Sequence, residues 1–270
     1  MNRLSRRLGV KMKIALVGYG KMGHMIAESA RACGHEVVVT VDVAAKDADV
    51  VVPAGEYPAV ARAVKSSGAD GIIEFSHPSA VMGNIRALLP LGIPVVVGTT
   101  GWNDKREEVA RLAADCGGVI MTSSNFSIGV NMFYKIIDAA VSLAEPFAEY
   151  DVSTWEMHHN QKADSPSGTA LEIARHILAN TNRKTEIVTE EFHEKPQPQQ
   201  LHVSSTRCGA VPGTHTVFFD SAADTIEITH RARSRAGFAA GAVHALERLC
   251  GGIQNGTLAK GRLYGMDDIF

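Results

Sequence analysis

A short apolar run, Lys13 to Val17, leads straight into Gly18-Tyr19-Gly20-Lys21-Met22-Gly23, and this leaves the chain few alternatives to a strand, a tight turn and a helix. After the glycines, Met25, Ile26, Ser29, Ala30 and Cys33 recur at helical spacing until Gly34. Glu36 to Val41 is β-branched and ends at Asp42, which completes a βαβ crossover. Further strands are expected at Gly71 to Phe75, Pro94 to Val97 and Val119 to Met121. Helices are expected between them at about Tyr57 to Ser67, Ala80 to Leu91 and Asp104 to Cys116. Alternation of this kind predicts an α/β fold with a parallel sheet covered on both faces.

The rhythm changes after Asn125. A helix is expected from about Val130 to Leu143 and a strand at Asp151 to Met157. A polar loop and a helix from about Ser167 to Leu178 follow. Thr214 to Phe219 and Thr225 to His230 flank the turn-prone Asp220 to Asp224, so they predict an antiparallel hairpin. Ala236 to Cys250 carries Phe238, Ala242, Val243, Leu246 and Leu249 on one stripe, a helix suited to pack back onto the first domain. The expected fold is therefore a Rossmann-type doubly wound parallel sheet plus a second α+β domain with a mixed or antiparallel sheet. The expected boundaries are an extension at 1–12, a first domain carrying the glycine turn at 13–127 and 236–270, and a second domain at 128–235.

A chain of 270 residues with 45% apolar and 21% charged residues has the balance of a globular protein. Its formal net charge of -2 is spread without a basic patch, which argues against a nucleic-acid partner. No apolar run reaches the 18 residues of a membrane span. Cys33, Cys116, Cys208 and Cys250 form no CxxC pair, so neither a zinc cage nor a disulfide framework is expected, and a reduced cytoplasmic home follows. The first twelve residues are basic, with Arg3, Arg6, Arg7 and Lys11, and read as a loose extension in which Met12 offers an alternative start.

The glycine turn has the context of a dinucleotide site, with a strand before it, a helix after it and Asp42 closing the next strand. Gly18 suits the tight turn, Gly20 the approach of a pyrophosphate and Gly23 close helix–strand packing. Asp42 is placed to accept ribose hydroxyls and to repel a 2′-phosphate, or, in the plainer reading, to cap its own loop. With Val43 next to it, NADH is the preferred cofactor and NADPH the second candidate, Lys46 being a cation that could reach a phosphate. Gly98-Thr99-Thr100-Gly101 and Ser123-Ser124-Asn125-Phe126 follow strands at the sheet edge where ligands bind.

The stretch from Glu156 to Ala170 holds His158, His159, Lys162 and the helix start Ser167-Gly168-Thr169 between a strand and a helix. A carboxylate ligand needs a cation and aimed N–H donors, which Lys162 and that helix start offer. His158 and His159 can supply protons near neutral pH, although neighbours on a strand end point in opposite directions. Ser165-Pro166-Ser167 also fits a simple helix cap. Metal binding by the two histidines is not expected, because no third or fourth ligand stands at suitable spacing.

The pattern E-x-H-H-x-x-K-x-D-x-P-S-G-T-A from Glu156 to Ala170 resembles the signature of the dihydrodipicolinate reductases, the 4-hydroxy-tetrahydrodipicolinate reductases of the diaminopimelate route to lysine. The likeness runs from Lys13 to about Leu249 and includes GYGKMG, GTTG at 98–101, SNFSIGVN at 124–131 and ITHRARSR at 228–235. It implies a small cyclic dicarboxylate substrate, hydride transfer to its conjugated imine, and protonation of the resulting enamine by His158. Lys162 would assist, His159, Ser167, Gly168 and Thr169 would contact substrate, and Gly18 to Gly23, Asp42, Gly98 to Thr100 and Ser123 to Phe126 would grip the cofactor. It also implies a homotetramer built through the second domain's sheet. Val43 departs from the family, where NADPH-tolerant members often carry arginine. An aspartate or homoserine type dehydrogenase and a non-enzymatic NADH sensor stay open at this point.

Overall fold

The computed structural model describes residues 11–269, so most of the basic extension lies outside the described residues. The chain divides into two compact units, one running to Ser127 and resuming at Phe238, the other spanning Ile128–Gly237. Among the described residues no helix is long and apolar enough to cross a membrane.

In the first unit the elements are β1 (Lys13–Val17), α1 (Lys21–Ala32), β2 (Glu36–Asp42), β3 (Val50–Val51), α2 (Tyr57–Ser66), β4 (Gly71–Glu74), α3 (Pro78–Leu88), β5 (Val95–Val97), α4 (Arg106–Cys116) and β6 (Val119–Thr122). The second unit contains α5 (Ile128–Ala144), β7 (Asp151–His158), α6 (Gly168–Ala179), β8 (Glu186–Val188), β9 (Gln200–Arg207), β10 (Thr214–Asp220) and β11 (Thr225–Arg231). The chain closes with α7 (Ala236–Gln254) and β12 (Arg262–Tyr264).

The first sheet is wholly parallel, in the order β12-β6-β5-β4-β1-β2-β3. Successive residues of β1 serve opposite faces: Ile14 and Leu16 join one core with α1 and α7, Ala15 and Val17 the other with α2, α3 and α4. A strand buried on both faces must be apolar throughout, which is why KIALV reads as a continuous run. Strand order reverses between β1 and β4, and β1 delivers its glycine turn to that crevice.

The second sheet is mixed, in the order β11-β10-β7-β9-β8, with β7 and β9 parallel and β10 antiparallel to both its neighbours. One face lies under α5 and α6, where Val152, Leu201, Val203, Val217 and Phe219 pack against Ile137, Ile173 and Ile177. Each such fully buried aliphatic side chain contributes about 2 kcal/mol. The alternation of β7 continues past this apolar patch, so Glu156 and His158 fall on the same covered face as Val152 and Thr154. On the opposite face Trp155, Met157 and Phe218 stay half-buried.

A charged cluster ties α7 into the first unit: Glu247 accepts from buried His35 at 2.8 Å and from His244 at 2.7 Å. The hydrogen bond to Glu247 raises the pKa of His244 above 6.5, and the same bond lowers that of Glu247 below 4.5. The histidine's contribution is complete below its unfolded pKa and fades as pH rises through the raised value. The carboxylate's is complete above its unfolded pKa and fades as pH falls. Glu247→Gln should therefore lower the melting temperature most between about pH 5 and 6.5, and progressively less on the alkaline side, in a pH series of thermal melts.

Candidate functional site

The turn after β1 is shaped by contacts that admit only glycine at two positions. Gly18 has φ +93°, and a Cβ there would stand 2.1 Å from the Phe75 carbonyl oxygen. One at Gly23 would stand 2.4 Å from the Gly18 carbonyl oxygen. Gly20, the N-cap of α1, is different: it is exposed, a Cβ would meet nothing within 4 Å, and no side chain caps the helix. Open space before uncapped amides at a helix N-terminus suits a pyrophosphate, so these residues fit a dinucleotide. Tyr19 is buried, Lys21 exposed and Met22 packs on the core.

Asp42 caps its own loop, the plainer of the two roles the sequence left open. Its Oδ1 caps its own loop through the amides of Ala44 at 2.8 Å and Ala45 at 2.9 Å, while Oδ2 accepts from the Tyr19 amide at 2.6 Å. Burial favours the neutral acid, yet these amides outweigh it and hold the carboxyl below its usual range. Oδ1 has spent both lone pairs on the Ala44 and Ala45 amides, so a further donor would have to approach Oδ2. Asp42 lines a cleft with Gly18, Gly20, Tyr57 and Phe75, and Val43 borders it with 55% of its surface exposed.

The two other loops are held from behind. Thr99 donates to fully buried Glu74 at 2.6 Å, accepts from the Ser76 amide at 2.8 Å, and offers its carbonyl to Trp102 Nε1 at 2.7 Å. Asn84 donates to the same carboxyl at 3.0 Å, as does the Ser76 hydroxyl. Burial pushes the Glu74 pKa up, hydrogen bonds notwithstanding. Gly98 lies against the Phe75 ring and Thr100 is exposed. Ser123 closes its turn by donating to the Asn125 carbonyl at 2.8 Å, Asn125 Oδ1 accepts from the Ser127 amide at 2.9 Å, Phe126 packs 6.1 Å from Phe75, and Ser124 is exposed.

In the second unit the motif residues converge where β7 ends and α6 begins. Glu156, fully buried, takes His158 Nδ1 on Oε2 and on Oε1 receives Arg207 Nη1 at 2.8 Å and the Ser167 amide at 3.3 Å. Burial would raise its pKa, but His158 and Arg207 bring it down to about 2. Lys162 Nζ lies 2.8 Å from Asp164 Oδ1, and that bond holds the Asp164 pKa low. Ser167 is the N-cap of α6, its Oγ accepting from the Ala170 amide at 3.1 Å and meeting His215 Nε2 at 3.3 Å. The cap reading of Ser167 therefore describes its side chain. Gly168 is exposed at the first turn, Thr169 is half-buried and hydrogen-bonded to Tyr134, and His159 is half-buried beside His158.

Four groups here escape inspection of the motif alone: Glu74, Tyr134, Arg207 and His215. His215 was within reach, since the alternation His215, Val217, Phe219 puts it on the covered face. It also supplies the third ligand that the sequence spacing denied to His158, because Glu156, His158 and His215 place donor atoms within 4.8 Å of one another. Glu156 and His158 Nδ1 are bonded to each other, and His215 Nε2 meets Ser167 Oγ instead of joining them. The carboxylate meets the imidazole directly and carries a guanidinium, whereas a metal needs lone pairs converging on a point near 2.0–2.2 Å from each. Burial pushes His215 down to about 3, so it stays uncharged.

The strand order and the open glycine turn at the reversal point define the first unit as a Rossmann-type dinucleotide-binding unit. The chain belongs to the dihydrodipicolinate reductase family, whose N-terminal description matches residues 12–126 and whose C-terminal description matches 129–270. It is 37% identical over 238 residues to the 4-hydroxy-tetrahydrodipicolinate reductase of Christiangramia forsetii, covering 88% of this chain and 92% of that protein. It is 36% identical over 265 residues to that of Archaeoglobus fulgidus, covering 95% and 99%. Among solved structures, a dipicolinate-bound dihydrodipicolinate reductase from Paenisporosarcina sp. TG-14 shares the fold with a TM-score of 0.72 at 21% identity, over 97% of this chain and 100% of that one.

The glycine geometry separates stability from binding. Gly18→Ala should cost more than about 1 kcal/mol in thermal or denaturant unfolding, through strain and the Phe75 clash. Gly20→Ala should unfold within about 0.5 kcal/mol of the parent yet lose affinity for NADH in a fluorescence titration.

Proposed function

We propose that this chain reduces 4-hydroxy-tetrahydrodipicolinate, by way of dihydrodipicolinate, to tetrahydrodipicolinate with NAD(P)H. The observation that carries the reading is the motif loop: a family signature whose imidazole, ammonium and helix start gather in one place on the second unit. When bound, the nicotinamide supplies the hydride. The residues that would hold it are Gly18 to Gly23, Asp42, Gly98 to Thr100 and Ser123 to Phe126. Asp42, held ionised, favours ribose hydroxyls over a 2′-phosphate, and with Val43 beside it this makes NADH the preferred form.

For the substrate, Gly168 and Thr169 offer amides at the N-terminus of α6, aimed at a carboxylate by the helix dipole. Lys162 adds a positive charge and His159 a further polar contact. His158 returns the proton that balances the hydride. Assembly as a homotetramer through the half-exposed face carrying Trp155, Met157 and Phe218 belongs to the same proposal.

His158→Gln should cut turnover by about 10² to 10⁴ while leaving the NADH dissociation constant within twofold. Lys162→Ala should raise KM for the dicarboxylate as well as lower kcat. Parallel kinetics with the two nicotinamides should favour NADH, and Val43→Arg should narrow the gap; a parent enzyme faster with NADPH would reverse the assignment of Asp42.

A further inference from the structure

We infer that Glu156 and Arg207 are positioning residues for the acid, the carboxylate fixing a proton on His158 Nδ1 so that Nε2 is the atom that delivers, and the guanidinium locking carboxylate and loop together. The inference rests on the reading of His158 as the proton donor. An ionised carboxylate can only accept, so the hydrogen shared by Glu156 Oε2 and His158 Nδ1 must sit on the ring nitrogen. With Glu156 fully buried, water does not compete for that bond.

The far side of the ring is prepared accordingly. A Cβ at Gly213 would stand 2.9 Å from His158 Nε2, so glycine there keeps the delivering nitrogen clear. The His215 ring meets His158 edge-on at 5.2 Å and, being uncharged, does not oppose a positive charge on its neighbour. The charged or titratable groups gathered around His158 are thus Glu156, Arg207, His215 and, through the loop, Lys162.

Arg207 does more than neutralise. It comes from the last position of β9, directly opposite His158 in the parallel register, and its three nitrogens reach β7 and two points of the loop that follows it. Nη1 holds Glu156 at 2.8 Å, Nε the Lys162 carbonyl at 3.3 Å, and Nη2 the Asp164 carbonyl at 2.5 Å. The loop bearing Lys162 is therefore fastened to the carboxylate that orients His158. A planar fork is suited to this and an ammonium is not.

Glu156→Gln discriminates sharply. Arg207 and the Ser167 amide both donate to Oε1, so a glutamine keeps its oxygen there and turns its NH₂ toward His158 Nδ1. The ring must then accept at Nδ1 and carry its hydrogen on Nε2, and the doubly protonated acid is disfavoured. Swapping an acid for its amide in a carboxylate–histidine pair preserves shape and inverts the tautomer in this way.

The test begins with ¹⁵N-histidine NMR of the unaltered protein, which needs no variant to fold: neutral His158 should carry its hydrogen on Nδ1, and a resonance pattern with the hydrogen on Nε2 overturns the inference. In Glu156→Gln the pattern should reverse, kcat should fall about 10²-fold, and KM for NADH should hold. The double variant Glu156→Gln/His158→Gln should be no slower than His158→Gln alone, because the first residue acts through the second. Arg207→Lys should raise KM for the dicarboxylate through the loosened loop. Full turnover in His158→Gln would strike the underlying reading; a crippled His158→Gln beside a fully active Glu156→Gln would overturn only the inference made here.

Discussion

Glu156 is ionised with no solvent-accessible surface, and an anion so placed is tolerated only while every oxygen is matched by a donor or a cation. That requirement organises the chemical half of the molecule. It draws Arg207 from β9, the amide of Ser167 from the start of α6 and the imidazole two residues along β7. The parallel pairing of β7 with β9 is what brings a guanidinium from a strand distant in sequence to the same level as His158. Removing Arg207 or His158 leaves that buried charge short of a partner and so costs part of its desolvation penalty.

The first unit uses a buried carboxyl in the opposite way. Glu74 ends β4 and is likewise fully buried, but its partners are two hydroxyls and an amide, none of them charged. Burial therefore wins and its pKa rises, whereas at Glu156 a guanidinium and an imidazole reverse the outcome. A carboxyl inclined to stay neutral can brace the Gly98–Thr100 turn without placing a negative charge near a phosphate-bearing ligand. A carboxyl held ionised can orient an acid.

Much of this was legible in the order of residues, and the exceptions have physical causes. The alternation from β1 to β6 was readable because strands buried on both faces are continuous apolar runs and their helices are amphipathic. β9 was not, since only Leu201 and Val203 face the core and the intervening His202, Ser204 and Thr206 line the less buried side. β3, β8 and β12 span two or three residues, too short for a period to register. The motif loop announced His158, His159 and Lys162, but Arg207 could not be attached to it, because register across a sheet is a property of pairing and not of spacing. Asp42 carried two competing readings, of which the loop cap is the one its hydrogen bonds display.

One unit holds a glycine turn with open space before uncapped amides, and the other holds an imidazole paired with a buried carboxylate and a lysine loop fastened by Arg207. The reaction proposed for the chain is reduction of the cyclic dicarboxylate. The most direct measurement follows NADH absorbance after adding 4-hydroxy-tetrahydrodipicolinate generated in situ by its synthase, with aspartate and homoserine tested alongside using NAD⁺. Rapid NADH oxidation with the cyclic dicarboxylate and no turnover of the two amino acids is the expected result; an inert enzyme, or one that oxidises either amino acid instead, would contradict it.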